Sequence, residues 1–218
     1  RGVQQRRRLN IRRDQQAYPL IVHWPRERDL RDAEAWFADW TVLDIRGMEI
    51  TSDEKPTGED LRILDGRPIR ILCGNGLGAL EPGTLASLKD LEELDLSAVP
   101  RAAQLAPLLA ALEGSTILRR LRLSGAAQLS AEDVGIIASL TGLEYLTFGC
   151  QTSAAGLDIG RLGALVRLKE AVLSLRDLPD EALVAIARGC RALERLDLHV
   201  EAATPLGVAA LADLDGLT

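Results

Sequence analysis

A short apolar phrase returns along this chain at a nearly constant interval, and that interval constrains the fold more than any other feature. The phrase has the form L-x-x-L-x-L. It stands at Leu118 to Leu123 and again at Leu143 to Phe148. Aligning on its middle apolar residue gives the series Leu43, Ile69, Leu94, Leu121, Leu146, Ala171 and Leu196, with steps of about 25 to 27 residues. The residue two further on is apolar every time: Ile45, Ile71, Leu96, Leu123, Phe148, Leu173 and Leu198. The residue three before is apolar at Trp40, Leu91, Leu118, Leu143, Leu168 and Leu193, and Gly66 is the exception. Apolar residues two apart lie on one side of a strand. Each phrase therefore predicts a short strand with its apolar side turned to the interior.

Between the phrases the pattern is helical. Ser130 with Asp133 forms a capping-box-like start before Val134, Ile136, Ile137 and Leu140. Asp180 and Glu181 open a second amphipathic stretch containing Leu183, Val184, Ile186 and Ala187. Thr204-Pro205 supplies an N-cap with proline at the first helical position. One strand and one helix cannot bury their own apolar faces, whereas stacked neighbours can. The expected architecture is α/β: a curved solenoid of about seven repeats over residues 40–218, with parallel strands on the concave side and helices on the convex side. Residues 1–39 would form a basic lead-in and an N-terminal cap.

The phrase and its period resemble the leucine-rich repeat. The segments GCRALERLDL and LRRLRLSGAAQLSAEDVGIIASLTGLEYL are similar to the cysteine-containing subtype found in F-box substrate-receptor proteins. The resemblance covers roughly Trp40 to the end. It implies the solenoid fold, and it implies protein binding on the concave strands as in other members of the class. Many unrelated binders share the repeat, so it does not name the partner.

The composition is 47% hydrophobic and 27% charged, which suits a soluble domain with ample material for a core. Aromatic residues are only 3%, so that core must come from Leu, Ile, Val and Ala. The longest apolar run, Leu105 to Leu112, falls far short of the roughly 18 residues of a membrane span. Three cysteines argue against a disulfide framework. Cys73 and Cys150 would occupy the same repeat position three repeats apart, roughly 15 Å at strand spacing, too far to bridge. Free thiols point to a reducing, intracellular compartment, most simply the cytoplasm.

Residues 1–31 hold nine arginines against Asp14, Glu27 and Asp29. This +6 leaves −12 for the remainder of a chain whose total is −6. The run RRRLNIRR fits either a contact with nucleic acid or an acidic partner, or a solvated lead-in. The second is preferred, because the acidic remainder would repel phosphate. Tyr18 to Val22 is expected as a strand, Asp29 to Asp39 as a helix, and Trp24, Trp36 and Trp40 as the cap that closes the core. At the other end, Leu214-Asp215-Gly216-Leu217 copies the lead-in Leu140-Thr141-Gly142-Leu143. A repeat begins there without a polar cap, so the solenoid is expected to be truncated at this end, or another segment or subunit to cover it.

The x positions of the phrase would face the concave side. They alternate in charge: Arg67 and Arg70; Glu92, Glu93 and Asp95; Arg119, Arg120 and Arg122; Glu144 with Tyr145; Lys169 and Glu170; Glu194, Arg195 and Asp197. Strands about 4.8 Å apart allow lateral ion pairs between these groups. The ladder is either a self-neutralising solvated face or a mixed-charge surface that selects a protein of complementary charge. It is not a continuous basic groove, so nucleic acid is not expected along it.

Gly74-Asn75-Gly76-Leu77-Gly78 has G-x-G-x-G spacing, and a tight turn of the repeat explains it better than a dinucleotide loop. The two histidines, His23 and His199, form no zinc cluster with cysteine. There is no Walker loop and no G-x-S-x-G elbow. Cys150 and His199 would lie roughly 10 Å apart, too far for a nucleophile and its base. The sequence thus predicts a non-catalytic protein-recognition module without metal or small-molecule cofactor, natural as part of a larger receptor or adaptor. The alternatives are a peripheral subunit of a stable assembly and a ubiquitin-ligase substrate receptor.

Overall fold

The computed structural model describes residues 42–45, 58–74, 77–97, 105–126, 129–150, 156–202, 204–214 and 216–217. The expectations for the basic lead-in, the tryptophan cap, the Tyr18–Val22 strand and the Asp29–Asp39 helix fall outside these residues.

Among the described residues, seven strands form one open, all-parallel sheet in sequence order. They are β1 (Val42–Ile45), β2 (Ile71–Gly74), β3 (Glu93–Asp95), β4 (Arg120–Ala126), β5 (Tyr145–Cys150), β6 (Glu170–Asp177) and β7 (Arg195–Ala202). The links between them carry α1 (Gly58–Leu61), α2 (Pro82–Ser87), α3 (Leu105–Ala110), α4 (Ala131–Ser139) and α5 (Asp180–Gly189), and α6 (Pro205–Ala209) follows β7. The β5–β6 link is a 3-10 helix, Ile159–Ala164, rather than an α-helix. Gly160 and Gly163 account for this locally, since glycine is a poor α-helix former. They also let the link lie against α5, where a Cβ on Gly163 would meet the backbone oxygen of Ala185 at 2.5 Å.

Inward strand residues and the buried faces of the helices share one core. Leu94, Leu121, Leu146, Phe148 and Leu173 pack in the same cluster as Leu85, Leu109, Val134, Ile137, Leu183 and Ile186. The core is aliphatic as the composition requires, and Phe148 is the largest fully buried side chain among the described residues. Helix ends repeat as closely as strands do. Leu88, Leu140, Leu165 and Cys190 each close a helix with ψ between 60° and 79°, and each is buried. The last of these puts a thiol where its neighbours put leucine.

A second recurring device ties adjacent repeats. Ser87 Oγ donates to Thr84 O at 2.6 Å and accepts from the N–H of Gly66 at 2.9 Å. Ser139 Oγ donates to Ile136 O at 2.7 Å and accepts from Gly114 N–H at 3.3 Å. Both glycines have positive φ, 66° and 71°, a conformation that other residues rarely adopt.

The expected caps are present. Ser130 Oγ accepts from Asp133 N at 3.1 Å, and Asp133 Oδ2 accepts from Ser130 N at 2.7 Å. Thr204 Oγ1 accepts from Leu206 N at 3.2 Å. Ser130→Ala is expected to cost about 1 kcal/mol in chemical denaturation, because it orphans an N–H at the start of α4. An unchanged midpoint would show that the box contributes nothing.

The register agrees with the expected series at Leu43, Leu94, Leu121, Leu146, Ala171 and Leu196, and corrects it at β2. Leu72, not Ile69, stands between Leu43 and Leu94. Ile69 takes the position three before, so Gly66 is no exception and Ile71 turns outward, where it is half-buried. The steps on either side of β2 are therefore unequal, because the flanking links differ in length. Cys73 registers with Asp95, Arg122 and Thr147, whereas Cys150 registers with Ala126, so the two cysteines do not share a repeat position. At β7 the core thins. Leu196, Leu198 and Val200 are half-buried where Ala171, Leu173 and Leu175 are covered.

Candidate functional site

The side of the sheet away from the helices is built by three rows of residues that run across the strands. The leading row comprises Arg70, Glu92, Arg119, Glu144, Lys169 and Glu194, one per repeat, strictly alternating in sign. Its backbone is as regular as its charge. The carbonyl of Arg70 accepts from both Glu92 N and Glu93 N at 2.8 and 2.9 Å. The Glu92 carbonyl does the same for Arg119 and Arg120, that of Arg119 for Glu144 and Tyr145, that of Glu144 for Lys169 and Glu170, and that of Lys169 for Glu194 and Arg195. Each repeat thus hands two N–H groups to one oxygen of its predecessor, and this notch holds every leading side chain beside its neighbour.

The ion pairs follow from that placement. Arg70 grips Glu92 with two hydrogen bonds, Nε to Oε1 and Nη2 to Oε2, both 2.8 Å. Glu144 lies between two cations, 2.9 Å from Lys169 Nζ and 3.8 Å from Arg119 Nη1. Hydrogen bonding from Arg70 holds the Glu92 carboxyl below its ordinary range, and hydrogen bonding from Lys169 does so for Glu144. The same contacts raise Arg70 and Lys169. A carboxylate with a lowered folded value stabilises fully above its unfolded value and loses that contribution as pH falls through the folded one. These pairs are therefore intact at neutral pH and fail in acid. They are solvent-exposed, so their contribution to stability is small and screened by salt.

The next two rows contain Ile71, Glu93, Arg120, Tyr145, Glu170 and Arg195, and then Cys73, Asp95, Arg122, Thr147, Val172 and Asp197. The acids of β3 reach the arginines of β4, Glu93 to Arg120 at 4.0 Å and Asp95 to Arg122 at 3.7 Å. On their other side both guanidinium groups lie over the Tyr145 ring, 5.0 and 5.2 Å from its centre. The tyrosine oxygen accepts from Thr147 Oγ1 at 3.0 Å, which anchors the ring along β5. Each arginine is thus held between a carboxylate and an aromatic face. Farther along, Glu170 registers with Arg195, and Arg195 pairs within its own strand to Asp197 at 3.3 Å.

The structure brings twelve of the thirteen expected face residues onto this surface: Arg70, Glu92, Glu93, Asp95, Arg119, Arg120, Arg122, Glu144, Tyr145, Glu170, Arg195 and Asp197. Arg67 is the correction. It belongs to the turn before β2, where its N–H donates to Leu64 O, because the register is set by Leu72. Lys169 and Glu194 complete the leading row. Ile71, which the constant period placed inward, and Val172 are apolar members of the face.

Cys73 belongs to the third row of this face, and Cys190 closes a helix on the other side of the sheet. Both are buried. Burial pushes the Cys190 thiol up to about 11, and its Sγ donates to Leu162 O at 3.3 Å, so at neutral pH it is a packed thiol rather than a nucleophile. Among the described residues no group of His, Cys, Asp and Glu is arranged to hold a metal ion, and no helix is long and apolar enough to cross a membrane.

Compared with known protein families and with curated proteins, the chain matches none.

Proposed function

We propose that this chain is a leucine-rich-repeat solenoid that recognises a protein partner, without catalysis, through the open strand face between Glu92 and Tyr145. One observation carries this. All-parallel sheets normally bury both faces under other elements. Here the helices share the core with one side only, and the other side exposes charged residues and Tyr145. Interfaces favour rigid arginine and tyrosine side chains at their centres, and Arg120, Arg122 and Tyr145 are held together in that way. The natural setting is a larger receptor or adaptor. The buried Cys190 thiol suits an intracellular, reducing location.

The test is capture from native extract with the chain as bait, beside its Arg119→Gln, Arg120→Gln, Arg122→Gln variant. The expected result is a partner held by the first and lost by the second, with melting temperatures within a few degrees of each other, since the arginines are partly exposed and their ion pairs contribute little. Equal capture by both would remove the open face from function. A second reading, a peripheral subunit of a stable assembly, draws on the half-buried Leu196, Leu198 and Val200 beside Leu206 and Val208, which are 73% and 48% exposed.

A further inference from the structure

We propose that the open face accepts a second copy of this chain, related by a two-fold axis parallel to the strands and lying between β3 and β4. This rests on reading the face as a protein-binding surface, and it names the partner. An axis in that position keeps each row of one copy facing the same row of the other, while exchanging left for right. Strand β3 then lies over β4 of the partner copy, and β4 over its β3. Glu92, Glu93 and Asp95 meet Arg119, Arg120 and Arg122, level by level, because these residues are already in register side by side.

The next strands out agree as well. Strand β2 falls on the partner copy's β5, so Arg70 meets a glutamate, Glu144, and the outward Ile71 meets the ring of Tyr145. An axis between any two strands pairs opposite signs in the alternating leading row. Moving it to between β4 and β5 sets Glu93 against Glu170, and placing it along β4 sets arginine on arginine. An axis at right angles to the strands lays each strand on itself, acid on acid and arginine on arginine. Only the β3/β4 position satisfies all rows, and it gives the self-complementary contact that a closed dimer requires.

The test uses the purified chain and light scattering across concentration. The four-fold swap, Glu93→Arg, Asp95→Arg, Arg120→Glu and Arg122→Glu, keeps opposite charges side by side between β3 and β4 and leaves the Arg70–Glu92 and Arg119–Glu144 pairs of the leading row untouched, and its folding is checked by its melting curve. The unmodified chain is expected to dimerise at about 20 mM salt and to weaken at least about tenfold at 0.5 M. The swap should self-associate equally, yet refuse to pair with the unmodified chain, since acid would then face acid. Two half-swaps, one of each strand, should remain monomeric alone and pair when mixed. A chain that stays monomeric at about 1 mM overturns the proposal, as does a swap that mixes freely with the original. If the chain is monomeric but still captures a different protein through its β4 arginines, the second copy is rejected while the open face keeps its role as a binding surface.

Discussion

Leu121→Asp abolishes cooperative unfolding of this chain. Leu121 is 0% exposed and lies between Leu94 and Leu146 at the centre of the sheet. Its burial contributes about 1.5–3 kcal/mol, which the substitution forfeits. The incoming carboxylate would lie in an apolar cluster between Leu94 and Leu146, and burying a charge without partners costs several kcal/mol more. Together these losses rival the roughly 5–15 kcal/mol by which a domain of this kind is stable. Circular dichroism during heating measures the outcome. Ile117→Asp is the control: Ile117 stands just before the same strand but is 45% exposed, and its replacement should leave the transition in place. A cooperative transition in Leu121→Asp would mean that the inward series has been assigned to the wrong residues.

Gly189→Ala is expected to destabilise by about 3 kcal/mol, while Gly83→Ala stabilises by roughly 0.5–1 kcal/mol. The chemical change is identical, so only the surroundings differ. Around Gly83, in α2, there is nothing within 4 Å of an added Cβ, and the methyl merely reduces the freedom of the unfolded chain. At Gly189, where α5 ends, the methyl would overlap the carbonyl of Gly163 in the preceding link. Backbone cannot swing aside as a flexible side chain can, so the two links must separate and lift Cys190 and Ile186 from the core. Urea midpoints for the two variants moving the same way would contradict this account of how closely the links pack.

How much of this was legible beforehand depended on how directly each feature is written in one repeat. Strands β3 to β7 were legible because the phrase is intact there, and the Ser130 and Thr204 caps because capping needs only neighbours in sequence. Strand β2 was not. Pro68 to Leu72 offers apolar residues at 69, 71 and 72, and a constant period favours Ile69. The alternation of a strand does not extend back through the phrase, because the notch at the leading row inserts one extra residue between the first and second apolar positions. That slip misplaced Arg67. The alternating charges on the open face and their capacity for lateral ion pairs were visible. That Arg120 and Arg122 also lie over the Tyr145 ring was not, because it depends on register and side-chain conformation, which no single repeat encodes. Cys190 shows the same limit, since its place among helix-ending leucines emerges only when the repeats are superposed.

The sequential order of the strands bears on how the chain comes apart. Every strand's partners lie about 25 residues away, as with Leu146 and Ala171, so no contact in the sheet waits on the closure of a long loop. Assembly can begin at any adjacent pair and spread both ways, and loss begins at the margins. Amide protons in β4 and β5 should therefore exchange most slowly, and those in β7, with its half-covered leucines, among the fastest. Protection then records a residue's distance from the middle of the row rather than its own burial.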